Sequence, residues 1–356
     1  CILVATSGDT GKAALEGFRD VDRTKILVFY PKDGVSDIQK LQMVTQEGEN
    51  TGVCAVIGNF DDAQTGVKRI FSDPVLRERL AADGKLLSSA NSINWGRVLP
   101  QIVYYISAYC DLLASGAIRM GEKIDFCVPT GNFGNILAAY YAKRMGLPVG
   151  KLICASNSND VLTEFIRTGV YDRNRPFHAT MSPSMDILIS SNLERLLYLL
   201  SGSDEAVRGY MRQLSEMGRY AVTPELHAKI QESFACGCCD EASTAETIGR
   251  VFKERSYLID THTAVAWNVL EQFRRESGSR SMSVVVSTAS AFKFCASVLT
   301  ALGVEKQAEG TQILRQLSET AGCPVPKPLA ALDGKKIRFT KAVQKTEMAD
   351  AVMELL

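Results

Sequence analysis

Short apolar runs rich in β-branched residues alternate with helix-length amphipathic segments along most of this chain, and few folds accommodate that alternation. Ile2–Ala5, Lys25–Tyr30, Gly52–Ile57, Lys85–Ser89, Asp125–Val128, Lys151–Ala155 and Ser283–Ser287 read as strands. Lys12–Phe18, Ser36–Gln46, Asp61–Ser72, Trp95–Leu113, Ile136–Met145 and Val161–Thr168 read as helices. The pattern predicts parallel sheets covered by helices on both faces, an α/β fold. The unbroken apolar character of Cys127–Val128 and Val284–Val286 suits strands buried on both sides. From Met185 to about Arg275 the pattern becomes helix after helix: Asn192–Leu200, Asp204–Met217, Pro224–Phe234, Ser243–Ser256 and Thr263–Glu276, with Gly202, Gly218 and Gly278 placed as stops. At 356 residues the chain is long enough for two domains. The reading assigns residues 1–90 to a smaller α/β domain and 91–356 to a larger one, which carries the helical segment 185–276. The mixed, polar tail after Leu302 is expected to wrap the surface.

Charge and composition narrow the function. Lys plus Arg and Asp plus Glu each number 40, so there is no basic excess of the kind that marks a nucleic-acid partner. Apolar runs such as Leu196–Leu200 are far too short to span a bilayer, so no membrane partner is expected. Most of the ten cysteines sit singly in apolar segments, and no export signal is legible from Cys1 onward. They read as reduced core residues of a cytoplasmic protein. Cys236, Cys238 and Cys239 are closely spaced, but no second Cys/His pair with finger spacing follows. The bland reading, a loop between helices, is preferred over a metal site. The chain opens at Cys1 with a strand already under way, and the reading expects truncation at the N-terminus.

Two loops carry the chemistry. Ile2–Ala5 runs into Thr6-Ser7-Gly8-Asp9-Thr10-Gly11 and then a helix; Asp125–Val128 runs into Pro129-Thr130-Gly131-Asn132-Phe133-Gly134-Asn135 and then a helix. Ligands of parallel α/β sheets bind at the carboxyl ends of strands, where free N–H groups and the helix dipole favour an anion. Either loop alone could be an ordinary tight turn; two of them point to two anionic groups. A third segment, Ser89-Ala90-Asn91-Ser92-Ile93-Asn94-Trp95-Gly96-Arg97, clusters hydroxyl, amide and guanidinium donors before a long helix. Arg97 in a first turn opposes the dipole and gains if it binds a phosphate bidentately. Capping by Ser92 or Asn94, with Arg97 solvated, is equally open on physics alone. A fourth segment, Ser287-Thr288-Ala289-Ser290, ends the last strand ahead of Lys293; there, simple capping by Ser290 is preferred.

In this order the four segments resemble threonine synthase, a family of fold-type-II pyridoxal-phosphate (PLP) enzymes with a tryptophan synthase β-like fold. The Thr6–Gly11 loop is similar to the Ser-Gly-Asn-Thr loop of that class, with Asp9 in the asparagine position. Ser182-Pro183-Ser184-Met185-Asp186 and Asp260-Thr261-His262-Thr263-Ala264-Val265-Ala266 also resemble the family. The resemblance implies pyridoxal 5′-phosphate as cofactor. Gly131, Asn132, Phe133, Gly134 and Asn135 would wrap its phosphate, Asp9 would lie beside its 3′ oxygen, and Thr288 would face its pyridine nitrogen. It implies O-phosphohomoserine as substrate, its phosphate held by Thr10, Ser92, Asn135 and Arg97, with Asn94 in the same motif. Ser7 and neighbouring amides would hold its carboxylate. The implied reaction yields threonine and phosphate. The family's cofactor lysine lies in a Phe-Lys-Asp motif ahead of the Thr6–Gly11 loop, before this chain begins; Lys32-Asp33 follows the second strand and cannot substitute. A relative that binds PLP or phosphate without that lysine is the alternative. His262 is read as a structural histidine in preference to a base.

Overall fold

In the computed structural model, residues 1–355 are described, and the chain divides into two compact units, Cys1–Asn94 with Ala291–Leu356, and Trp95–Ser290. In chain order the strands are β1 (Ile2–Ala5), β2 (Ile26–Pro31), β3 (Thr51–Ile57), β4 (Ser88–Ser89), β5 (Ile124–Pro129), β6 (Val149–Ser156), β7 (Val170–Asp172), β8 (Arg219–Ala221), β9 (Phe234–Cys238), β10 (Ser283–Val285) and β11 (Ala342–Gln344).

The first unit is built on a parallel sheet of order β11-β3-β2-β1-β4. Residues of β1 and β2 are buried almost throughout, which is why they read as unbroken apolar runs. Ile2, Val4, Leu15, Ile26, Val28 and Met43 form one core cluster. From β1 the chain passes to β2 and β3 on one side, while β4 pairs on the other. The sheet therefore reverses direction at the carboxyl end of β1, beside the Thr6–Gly11 turn.

The second unit has a parallel sheet of order β10-β5-β6-β9, and a separate antiparallel ribbon, β7-β8. Its core gathers Cys127, Ile153, Ala155, Val265, Ala266 and Val269. The chain leaves β5 for β6 on one side and returns as β10 on the other. This reversal lies at the carboxyl end of β5, where the Gly131–Asn135 turn begins. Such switch points open a gap between diverging connections, and ligands of open α/β sheets sit there. The five helices expected in the helical stretch form, at Leu193–Ser201, Asp204–Met217, Pro224–Ser233, Glu241–Arg255 and Thr261–Ser277, but strands β8 and β9 interrupt the run. Gly202, Gly218 and Gly278 each close a helix in the left-handed conformation.

Several expectations are corrected. The division at residue 90 falls instead between Asn94 and Trp95, and 291–356 belongs to the first unit. The tail is not a surface wrap. β11 extends the sheet in register Ala342↔Ala55 to Gln344↔Ile57, and the helix Met348–Leu355 buries Met348 and Val352. Its polar composition reflects an edge strand with one covered residue, Val343. Cys236 and Cys238 lie in an edge strand and not in a loop, with Cys154 opposite Cys236; Phe-Ala-Cys-Gly-Cys has no β-branched residue to signal a strand. β10 is likewise an edge, and Val284 and Val285 are half-buried, not enclosed on both sides. The long helix expected at Trp95–Leu113 is broken into Trp95–Val98, a 3-10 turn at Leu99–Gln101, and Ile102–Ala114. Pro100 has no N–H for the continuous ladder.

Replacing Val352 with Asp puts an unpaired charge at a fully buried position. We expect this to cost about 3 kcal/mol or more, read as a lower urea midpoint, whereas Leu86→Ala at an exposed position changes stability by less than about 0.5 kcal/mol. Equal midpoints for Val352→Asp and the parent chain would return the tail to a surface role.

Candidate functional site

The turn after β5 is shaped to leave main-chain donors unpaired. Thr130 closes the strand, its N–H donating to Ala155 O at 2.9 Å and its hydroxyl to Val128 O at 2.7 Å. Among the described residues, no protein acceptor pairs with the N–H groups of Gly131, Asn132, Phe133, Gly134 or Asn135. The helix Gly134–Arg144 starts here, so its dipole adds partial positive charge. Phe133 sits at φ 61, an uncommon conformation for a bulky residue. Its ring is buried against Phe234, with centroids 5.6 Å apart, and this anchors the strained backbone.

The carbonyls of the turn are held from behind. Ser190 Oγ donates to Gly131 O at 2.8 Å; Asn192 donates to Asn132 O through its main-chain N–H at 3.2 Å and its side-chain amide at 2.8 Å. Ser191 Oγ donates to Asn132 Oδ1 at 3.2 Å. Tyr105 donates to Asn135 Oδ1 at 2.6 Å, and burial pushes its phenol far up, so it stays a neutral donor. A Cβ on Gly131 would lie 2.5 Å from Ser184 O, so only glycine lets these main chains meet. Ahead of this contact a buried polar knot fixes the chain. Asp186 accepts from Asn157 Nδ2 at 2.7 Å, Asn159 Nδ2 at 3.1 Å and Thr180 Oγ1 at 2.6 Å. Burial raises the Asp186 pKa, and these donors oppose the rise.

In the first unit the Thr6–Gly11 turn is organised around a hydroxyl. Thr6 Oγ1 accepts from Gly8 N–H and Gly11 N–H, both at 2.9 Å. The helix Asp9–Phe18 follows, and among the described residues the amides of Asp9 and Thr10 in its first turn pair with no protein acceptor. Gly8 has φ 136, and a Cβ there would strike the Gln39 side chain at 2.4 Å. Gln39 Nε2 and Lys293 Nζ both donate to Asp9 Oδ1, at 3.0 and 2.8 Å. Ser36 completes the frame: its hydroxyl donates to Lys293 O at 2.5 Å and accepts from Gln39 N–H at 3.2 Å. Asp9 is thus the acceptor of an ion pair within its own unit.

Ser92 and Asn94 belong to the first unit, in the turn after β4. Asn91 binds both main-chain groups of Ala5, accepting from its N–H at 2.9 Å and donating to its carbonyl at 2.5 Å. Asn94 Nδ2 donates to Ser89 O at 2.8 Å. These bonds set that turn beside the end of β1, with Ser7 at the start of the neighbouring turn. Arg97 belongs to the second unit, half-buried in the short helix Trp95–Val98, which packs on Gly134–Arg144. Thr288 follows β10 and is exposed. His262 is 2% exposed and hydrogen-bonded, as a structural histidine should be. Among the described residues no cluster of His, Cys, Asp and Glu could hold a metal ion, and all ten cysteines are free. Burial raises the pKa of Cys236 and Cys239 to about 11, so both remain thiols. Among the described residues no helix is long and apolar enough to cross a membrane. Sequence reasoning missed Gln39, Lys293, Tyr105 and Ser190–Asn192. Each acts on a turn at least 30 residues away, and none has a local signature.

No protein-family model matches the chain. It is 45% identical over 313 residues to a Macaca fascicularis protein named Threonine synthase-like 1; the match spans 86% of this chain and 42% of the relative, less than half its length. The crystal structure of PLP-bound threonine synthase from Brucella melitensis superposes with TM-score 0.81 at 38% identity, covering 99% of this chain and 70% of that one. Threonine synthase from yeast superposes with TM-score 0.82 at 33% identity, covering 99% and 69%. With that identity over most of two solved members, and with parallel sheets that reverse at the two glycine turns, the chain belongs to the threonine synthase family, of fold-type-II architecture.

Proposed function

We propose that in the second unit the Gly131–Asn135 turn binds pyridoxal 5′-phosphate and that Asn135 and Arg97 offer donors to a phosphorylated amino acid, O-phosphohomoserine; in the first unit Ser7, Thr10, Ser92 and Asn94 offer donors of the same kind. The observation that carries this is the run of unpaired amides at 131–135, at a sheet reversal and a helix start. Such a row suits the three oxygens of a phosphate monoester better than a single carboxylate. PLP, when bound, supplies an electron sink for carbanion chemistry. The chain's own residues bind and orient: Thr288 offers a hydroxyl suited to a pyridine nitrogen, and Asp9, held by Lys293 and Gln39, offers a carboxylate of fixed direction. Because the family's cofactor lysine precedes the Thr6–Gly11 turn, the proposal for these residues is confined to binding. The relative at 45% identity carries the name Threonine synthase-like 1, which favours this reading.

The second reading is turnover of O-phosphohomoserine to threonine and phosphate. It is favoured by the solved structures titled threonine synthase at 38% and 33% identity, together with the intact hydroxyl, amide and guanidinium set. Adding O-phosphohomoserine to PLP-loaded protein and assaying released phosphate separates the two readings. Binding without release supports the first; release at a steady rate supports the second.

Two substitutions probe the binding groups. Gly131→Ala forces a methyl into the Ser184 carbonyl and should weaken PLP at least about tenfold, measured by fluorescence titration; unaltered affinity would remove this turn from the cofactor site. Arg97→Ala removes a charged donor pair and should weaken O-phosphohomoserine by about tenfold or more while leaving PLP affinity unchanged. Calorimetry showing the same affinity for the variant would take Arg97 out of the substrate set.

A further inference from the structure

His262 reaches the phosphate-binding turn through one intermediate. Its Nε2 lies 3.2 Å from Ser184 N, a donor, so that ring nitrogen must present its lone pair. Its Nδ1 lies 3.2 Å from Asp260 Oδ1 and carries the proton. Asp260 is in turn a buried acceptor, held between donors from His262 and Thr263. The main-chain N–H of His262 donates to the same carboxylate at 2.8 Å, as does the Thr263 hydroxyl. Asp260 thereby caps the helix Thr261–Ser277 and orients the ring at its first turn. On the far side, Ser184 belongs to the short turn Pro183–Met185, and its carbonyl lies 2.5 Å from where a Cβ on Gly131 would stand.

We propose that His262 is a positioning residue for the phosphate-binding turn: as a neutral imidazole protonated on Nδ1, it receives the Ser184 amide and seats the Pro183–Met185 turn against Gly131. This role rests on the reading of 131–135 as the phosphate site. A ring with the opposite tautomer, or a doubly protonated ring, would direct an N–H at the Ser184 N–H and push that turn away. The carboxylate of Asp260 selects the tautomer, and the ring transmits the choice to the main chain.

The test compares PLP with pyridoxal, which has no phosphate, in the full 356-residue chain. Wild-type protein should prefer PLP. His262→Leu, which leaves the Ser184 amide without this acceptor, should weaken PLP by about tenfold while pyridoxal affinity stays within about twofold. His262→Gln, whose Oε1 can take the place of Nε2, should restore the preference. If wild-type protein binds both ligands equally, the phosphate reading itself fails. If wild-type protein prefers PLP and folded His262→Leu prefers it equally, the positioning role is overturned. Should His262→Leu not fold, the ring 15N spectrum of wild-type protein decides. A neutral ring protonated at Nδ1 supports the role; protonation at Nε2 overturns it.

Discussion

Main-chain amides can hold an anion only if the fold leaves them unpaired and keeps the turn from collapsing onto another acceptor. Unpaired amides are costly when buried, so a turn that keeps them needs restraint from outside itself. After β5 that restraint is main chain against main chain. The Ser184 carbonyl presses where a Gly131 side chain would stand, and Ser190 and Asn192 occupy the carbonyls of Gly131 and Asn132. With their carbonyls engaged behind, the peptide groups of the turn present their N–H ends forward. The strained Phe133 fits this account, since its buried ring fixes a backbone that a free loop would relax.

The turn after β1 meets the same requirement with side chains. Thr6 draws in two amides, and the φ of 136 at position 8 favours glycine beside the Gln39 side chain. What remains is a short row at Asp9 and Thr10, flanked by a carboxylate that Lys293 partly neutralises. That pairing matters electrostatically, because an unpaired Asp9 at this helix start would repel an incoming anion. The two turns therefore differ in kind: one suits a phosphate gripped by backbone, the other an anion shared with side-chain hydroxyls and amides.

The parallel sheets, most helix bounds and both glycine turns were legible in the sequence because they depend on local periodicity and on residues adjacent in the chain. Glycine closing the helices at 202, 218 and 278 is a backbone effect that needs no partner. What escaped depends on distant pairing. β9 lacks β-branched residues and exists because Leu152–Ser156 offers it an edge. β11 has one buried residue and exists because β3 does. The same holds for the site. The turn residues could be named from their own composition, whereas Gln39, Lys293, Tyr105 and Ser190–Asn192 become meaningful only once the chain has brought them to a turn.

The most direct measurement is the amide NMR spectrum of 15N-labelled protein titrated with inorganic phosphate and then with PLP. The account predicts that the amides of Gly131 to Asn135 move together, saturably, and further downfield with PLP than with phosphate. If those resonances stay fixed while PLP binds and perturbs amides elsewhere, the turn is not the phosphate cradle and the account is wrong.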